Sequence, residues 1–157
     1  MDMLSLIVLV LAIIKRDKRC LPVCIVACVF AVSHTVFKLP SMQETVFFDV
    51  FSVISIPFLM VLLVVCFIVF RKPFESGKKY ISPIVFSAAI LLVKVVRKVF
   101  YHYQMQQLFL SGPAAMDMYD FLAKGCTVLD SIYALLFLGF MISIIIVLNR
   151  SGKERIS

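Results

Sequence analysis

The sequence predicts an all-α protein, a polytopic transmembrane helical bundle with four long spans and one short N-terminal apolar helix. Of its 157 residues, 62% are apolar and only 16% are charged, and the mean hydropathy is +1.06. Ordinary soluble domains carry about 45–50% apolar and about 25% charged residues. The apolar residues also form long runs without alternation, which favours helices over the strands of a membrane barrel.

The first apolar stretch, at about residues 3–14, is the shortest. A helix over the first 14 residues reaches about 21 Å, whereas the hydrocarbon core is about 30 Å thick. This stretch therefore either crosses a thinned bilayer or is re-entrant. A cleavable signal peptide has its basic residues before the apolar run, but here the basic run 15–19 follows it, so we expect the stretch to be retained.

Four further stretches are long enough to cross a bilayer, and charged or turn residues bound each of them. They lie at about 20–37, 46–70, 80–103 and 126–148. Because no linker or internal repeat divides the chain, we expect a single integral-membrane domain over residues 1–157.

The longest connection is expected at about residues 104–124. The triplet Ser111-Gly112-Pro113 predicts a helix break there, and a short surface helix is expected to begin at Asp117.

Basic residues predict the topology of these spans. Segments 15–19, 71–79 and 150–155 hold eleven of the sixteen Lys and Arg residues but only three of the nine acidic residues. Because basic loops stay on the cytoplasmic side, we expect the C-terminus to be cytoplasmic. The sequence does not distinguish the plasma membrane from an endomembrane. The same loops predict contact with anionic lipid headgroups. Nucleic acid is not an expected partner, since no base-stacking motif accompanies the charges.

Ionisable residues inside the predicted spans are the first candidates for a site, because charge within a bilayer is costly unless it is paired or hydrated. Four segments place such groups at a similar depth in the outer half of the bundle. We predict that they line a shared, net cationic polar vestibule suited to an anionic group. The candidate residues are His34, Lys38, Asp49, Lys94, Arg97, Lys98 and Asp130.

Lys94, Arg97, Lys98 and Tyr101 fall on one face of their predicted helix. Three interpretations of this basic face are open. The side chains reach outward to lipid headgroups, they form ion pairs that hold the bundle together, or they bind a ligand or an ion.

No cofactor or metal is expected. His34 and His102 are the two histidines, but their predicted depths differ by about 12 Å, which disfavours a haem held between them. Cys20, Cys24 and Cys28 recur at every fourth residue without the further His or Cys pair of a zinc site. They are expected to allow close helix packing, and Cys20 is also a candidate for acylation.

Pro57 lies within the third apolar stretch and is a candidate hinge. Two pairs of small residues, Ala27 with Ala31 and Gly139 with Ser143, have the spacing that allows close helix approach, within the bundle or between protomers.

The sequence contains no catalytic motif such as GxSxG, HExxH or a Walker A loop, so we expect a protein that is not an enzyme. The leading expectation is an accessory or self-associating subunit, in a homo-oligomer or a larger membrane complex. The alternative is a small transporter or channel with a pathway lined by Asp49, Lys94, Arg97 and Asp130.

Overall fold

The protein is described from a computed structural model, which covers residues 2–14, 18–36, 46–73, 77–110 and 112–153. These described residues form five α-helices and no β-strand, so the all-α prediction is confirmed. The helices are α1 (Asp2–Ile14), α2 (Leu21–Val36), α3 (Val46–Arg71), α4 (Ser82–Gln107) and α5 (Pro113–Lys153).

Two of the described helices are long and apolar enough, by length and composition, to cross a membrane. They contain the segments Ile54–Arg71 of α3 and Ala114–Arg150 of α5, and the most apolar 18 residues within each segment have mean hydropathies of 2.6 and 2.7. A shorter apolar segment, Leu21–Ser33, lies in α2. The sequence predicted four long spans, and the crossing of the membrane by more than these two helices stays a prediction.

The hairpin formed by α4 and α5 is longer than the sequence predicted. Residues up to Gln107 continue α4, and α5 is one helix of 41 residues that begins at Pro113. The break at Gly112 is confirmed, and its φ of 138° is a conformation that glycine adopts readily. The prediction of a long connection over 104–124 is wrong for most of its length, because the structure has helix up to residue 107 and again from residue 113. Ala114, Ala115 and their neighbours favour helix although the hydropathy of this segment is low.

The five helices pack in chain order, each against the next, and α1 also packs against α5. One core joins them, and the Phe30 and Phe58 rings stack across α2 and α3 with centroids 5.6 Å apart. At one end of this core, Cys20, Phe70 and Leu148 are at most 1% exposed. Burial of the Cys20 thiol is contrary to its use as an acyl acceptor.

The turns after α1 and α3 meet beside that end of the core. Arg19 donates from Nη1 to the Pro73 carbonyl oxygen over 3.1 Å. The C-terminal part of α5 reaches the same end, because α5 runs antiparallel to α4, with Gly125 against Phe100 and Gly139 against Phe86. We call this end, with residues 18–19, 71–73, 77–79 and 150, the basic end.

Large apolar side chains remain exposed on the outer faces of the helices. On α3 the exposed row includes Met60, Val64 and Ile68, and on α5 it includes Leu135 and Ile142. Only 22% of the residues of the segment Ile54–Arg71 are buried. A core helix of a soluble protein would be mostly covered, so this helix has an apolar surface that the described part of the chain does not cover.

The small-residue pairs are used inside the bundle. Ala27, Ala31 and Ser143 are at most 5% exposed. A Cβ atom added to Gly139 would lie 2.5 Å from the ring of Phe86 on α4. These residues therefore pack helices of one chain together, and the described part of the chain does not offer them to a second protomer.

Candidate functional site

The candidate site lies where α4 packs against α5, the most extensive contact between any two helices. Lys94 and Arg97 are partly buried, and both contact residues of α5. By contrast, Leu92, Val95 and Val99 are 65%, 40% and 48% exposed. The basic face of α4 is thus turned toward α5, while its valine face is the uncovered one.

Arg97 and Asp130 form a two-point ion pair between the helices. Arg97 donates from Nε to Oδ1 over 2.7 Å and from Nη2 to Oδ2 over 3.0 Å. Paired, charge-assisted hydrogen bonds of this kind fix the orientation of both groups. The side chains are 34% and 37% exposed, so the pair lies at the edge of the helix contact. Two predicted candidates from different helices are therefore partners, as the ion-pair interpretation requires.

Lys94 lies one helical turn from Arg97 and interacts with an aromatic ring. Its Nζ atom is 4.5 Å from the ring centroid of Tyr133, which is 5% exposed. A cation over an aromatic face at this distance is attracted by the ring's π electrons. Sequence reasoning missed Tyr133, although it lies three residues after Asp130 and so shares its helix face.

Two glycines of α5 allow the close packing that surrounds the ion pair. A Cβ atom added to Gly125 would lie 2.8 Å from the Phe100 ring, as an added Cβ at Gly139 would meet Phe86. The two glycines are fourteen residues apart on α5, and the two phenylalanines are fourteen residues apart on α4. Fourteen residues correspond to two heptads. That shared period is the sequence signal that could have predicted the pairing of α4 with α5.

Gln104 is a buried polar residue farther from the basic end. Its side chain is 7% exposed, and the Cys126 thiol donates to its Oε1 atom over 3.8 Å. Sequence reasoning did not single out this contact. The hydrogen bond between Cys126 and Gln104 adds a polar interaction between α4 and α5 to the ion pair.

Three predicted basic residues of α4 and one predicted acidic residue of α5 lie at this contact. Lys98 is partly buried, as are Lys94 and Arg97. The pairing of Arg97 with Asp130 neutralises one of these three cations.

The other predicted site residues are not brought into this contact by the described structure. His34 and Asp49 belong to α2 and α3, but their side chains lie outside the described residues, as does the whole of Lys38. The vestibule shared by four segments therefore stays a prediction. His102 is exposed, and its Nε2 atom is 3.1 Å from Gln106 Nε2.

Pro57 lies within α3, which continues without interruption from Val46 to Arg71. Its role as a hinge stays a prediction.

Among the described residues, no group of three or more His, Cys, Asp and Glu side chains is arranged to hold a metal ion. Cys20, Cys24 and Cys28 line the buried side of α2, so they contribute to helix packing.

No family model matches the chain, and neither the characterised proteins nor the solved structures include a significant match. The function of the chain must therefore be inferred from its own geometry.

Proposed function

We propose that this chain is a non-enzymatic, multi-pass membrane protein that acts as an accessory or self-associating subunit. The observation that carries the proposal is the apolar surface that the described residues leave uncovered. Exposed residues such as Val64 on α3 and Leu135 on α5 are 55% and 68% exposed. Lipid or another membrane helix is the environment in which such surfaces are stable.

The orientation of α4 supports a third long span. Its basic residues are turned toward α5, and Leu92, Val95 and Val99 are left on the outside. A helix that pairs its charges with a neighbour presents an apolar face to lipid despite its low overall hydropathy. Since α2 is apolar too, four crossing helices are consistent with the arrangement.

The distances along the helices support a position of the ion pair near the outer boundary of the bilayer. Within α5, Asp130 precedes Arg150 by twenty residues, and Arg97 lies fifteen residues after Ser82, where α4 begins; these separations correspond to about 30 and about 22 Å of helix. The hydrocarbon core is about 30 Å thick. With the basic end at the cytoplasmic surface, the contact between α4 and α5 therefore lies near the outer headgroups, where an anionic group can approach the basic residues of α4.

Copurification in a mild detergent, with identification of every bound protein, tests the subunit proposal. Crosslinking in membranes locates the contact. A Val64→Cys variant should crosslink to a second copy or to a partner, because this position is exposed on α3. Leu62→Cys is the matched control, since Leu62 is 0% exposed and should not react. If the protein purifies as a lone monomer and the Val64→Cys variant forms no crosslink, the proposal is contradicted.

A transporter or channel is the second candidate, and one observation favours it. Arg97 lies beside Asp130 between two helices, as a pathway lined by these residues and by Lys94 and Asp49 would require. However, Arg97 and Asp130 bind each other at two points, and the Phe100 ring packs closely on Gly125 nearby. These contacts are more typical of a packed helix contact than of an open pathway.

Ion and solute flux into proteoliposomes tests the transport candidate. Transport predicts a flux above that of empty vesicles, and Asp130→Asn should abolish it. Asp120→Asn is the matched control, because Asp120 is exposed on the same helix away from the pair. Flux equal to that of empty vesicles rejects this candidate.

A further inference from the structure

We propose that the basic end binds a phospholipid headgroup that carries two or more phosphates. The inference rests on the proposed membrane embedding and goes further by naming the lipid class and the residues. Two separate turns, the one before α2 and the one between α3 and α4, contribute to the site. Its cations are Lys18, Arg19, Arg71, Lys72, Lys78 and Lys79.

One hydrogen bond brings the two turns together. Arg19 Nη1 binds the Pro73 carbonyl oxygen, and Arg71 and Lys72 directly precede Pro73 in the chain. Consecutive Cα atoms are about 3.8 Å apart. The backbone of Arg71 and Lys72 therefore lies within about 8 Å of the carbonyl that Arg19 contacts, so cations far apart in sequence share one surface.

The charge of these turns exceeds what one monovalent lipid can balance. Segments 15–19 and 71–79 contain eight basic and two acidic residues, a net charge of +6. The acids, Asp17 and Glu75, lie outside the described residues, and the described cations named above are exposed. Clusters of four to eight Lys and Arg beside a membrane helix attract multiply charged phospholipids.

An apolar surface beside the cations distinguishes a lipid from a free phosphate. Phe67 and Ile68 are 45% and 59% exposed just before Arg71, and Ile81 and Val85 are 63% and 58% exposed just after Lys79. The Arg71 guanidinium lies 5.0 Å from the centroid of the Phe67 ring. The same surface thus offers cations to the phosphates and apolar side chains to the acyl chains.

Lipid titration into the purified full chain in a neutral detergent tests the proposal. The probes are cardiolipin, a bisphosphorylated inositol phospholipid, phosphatidylserine, phosphatidylcholine and a soluble inositol phosphate, at about 0.15 M salt. We expect the multiply phosphorylated lipids to bind most tightly, and which of the two binds better identifies the physiological source. Equal binding of phosphatidylserine overturns the requirement for two phosphates, and equal binding of the soluble inositol phosphate overturns the lipid assignment.

Charge-neutralising variants test the location. Each juxtamembrane cation changes affinity by about fivefold, or about 1 kcal/mol. Lys72→Gln and Lys78→Gln should each weaken binding about fivefold, and the double variant about 25-fold. Lys124→Gln is the matched control, because Lys124 is an exposed cation far from the basic end. Equal loss in all variants, or no loss, overturns the site.

Carbonate extraction distinguishes failure of the proposed membrane embedding from failure of the lipid site. Alkaline carbonate leaves an embedded protein in the membrane pellet, whatever its lipid preference. Extraction of the protein by carbonate contradicts the proposed embedding, whereas retention without headgroup preference overturns only the lipid site.

Discussion

Neutralising Arg97 and Asp130, separately and together, measures how strongly the ion pair couples α4 to α5. The perturbations are Arg97→Gln, which shortens the side chain and removes its charge, and Asp130→Asn, which keeps the size of the side chain and removes its charge. Each single variant leaves the other charge without the charged partner that now makes two hydrogen bonds to it, of 2.7 and 3.0 Å. We therefore expect each single variant to be destabilised and the double variant to lose less than the sum of the two.

The magnitude follows from geometry and exposure together. Hydrogen bonds to charged groups contribute about 1.5–3 kcal/mol when they are sheltered, and exposed ion pairs about 0–1 kcal/mol. These side chains are 34% and 37% exposed, so solvent screening reduces the larger value. We expect a coupling free energy of about 1 kcal/mol, and a melting temperature about 2–4 °C lower for each kcal/mol lost.

A thiol-reactive dye provides the unfolding assay. The chain has no tryptophan, but its five cysteines are free and buried. Unfolding therefore exposes thiols that are protected in the folded protein. The protein is heated in a mild detergent with the dye, and the transition is compared across the four members of the cycle.

The control is a second cycle that pairs Arg97→Gln with Asp120→Asn instead of with Asp130→Asn. Asp120 lies ten residues earlier on α5, about 15 Å along the helix. Arg97→Gln and Asp120→Asn should be additive, because residues that do not touch couple weakly. Strict additivity in the Arg97 and Asp130 cycle as well would refute the reasoning that this pair joins the two helices.

Three further predictions concern packing, burial and topology. Gly139→Ala should destabilise the protein by about 1–3 kcal/mol, since the new Cβ meets the Phe86 ring, and Phe86→Ala should recover part of this loss in the same melting assay. Native Cys20 should resist maleimide labelling and carry no hydroxylamine-releasable acyl chain, because it is 0% exposed; labelling of the folded protein counts against its burial. Lys78→Cys and Phe109→Cys, both exposed, should react with an impermeant reagent from opposite sides of the membrane, and labelling from one side contradicts the proposed arrangement.

The all-α class was predictable because apolar runs are a local property of the chain. The positions of α2, α3 and α4 followed from the same runs to within a few residues. The extent of α5 was not predictable in this way. Hydropathy marks the part of a helix suited to lipid, whereas helix propensity at Ala114, Ala115 and the residues after them extends the helix beyond it.

The candidate site was only partly predictable. Charge within the predicted apolar spans directed attention to Arg97 and Asp130, but not to the Tyr133 ring or to Gln104. An aromatic ring and an amide are ordinary residues near the end of a membrane helix. Their roles depend on the neighbour that each one contacts, and no local pattern identifies that neighbour.

By itself, the sequence determined an all-helical chain rich in apolar runs, with its basic residues concentrated in a few short segments. Only the tertiary structure decided that the basic face of α4 is turned toward α5 and that Arg97 binds Asp130, 33 residues later in the chain. The physical reason is that composition and periodicity act within one helix. The partner of a charge depends on the register between two helices, which the packing of glycines and aromatic rings along their whole contact determines.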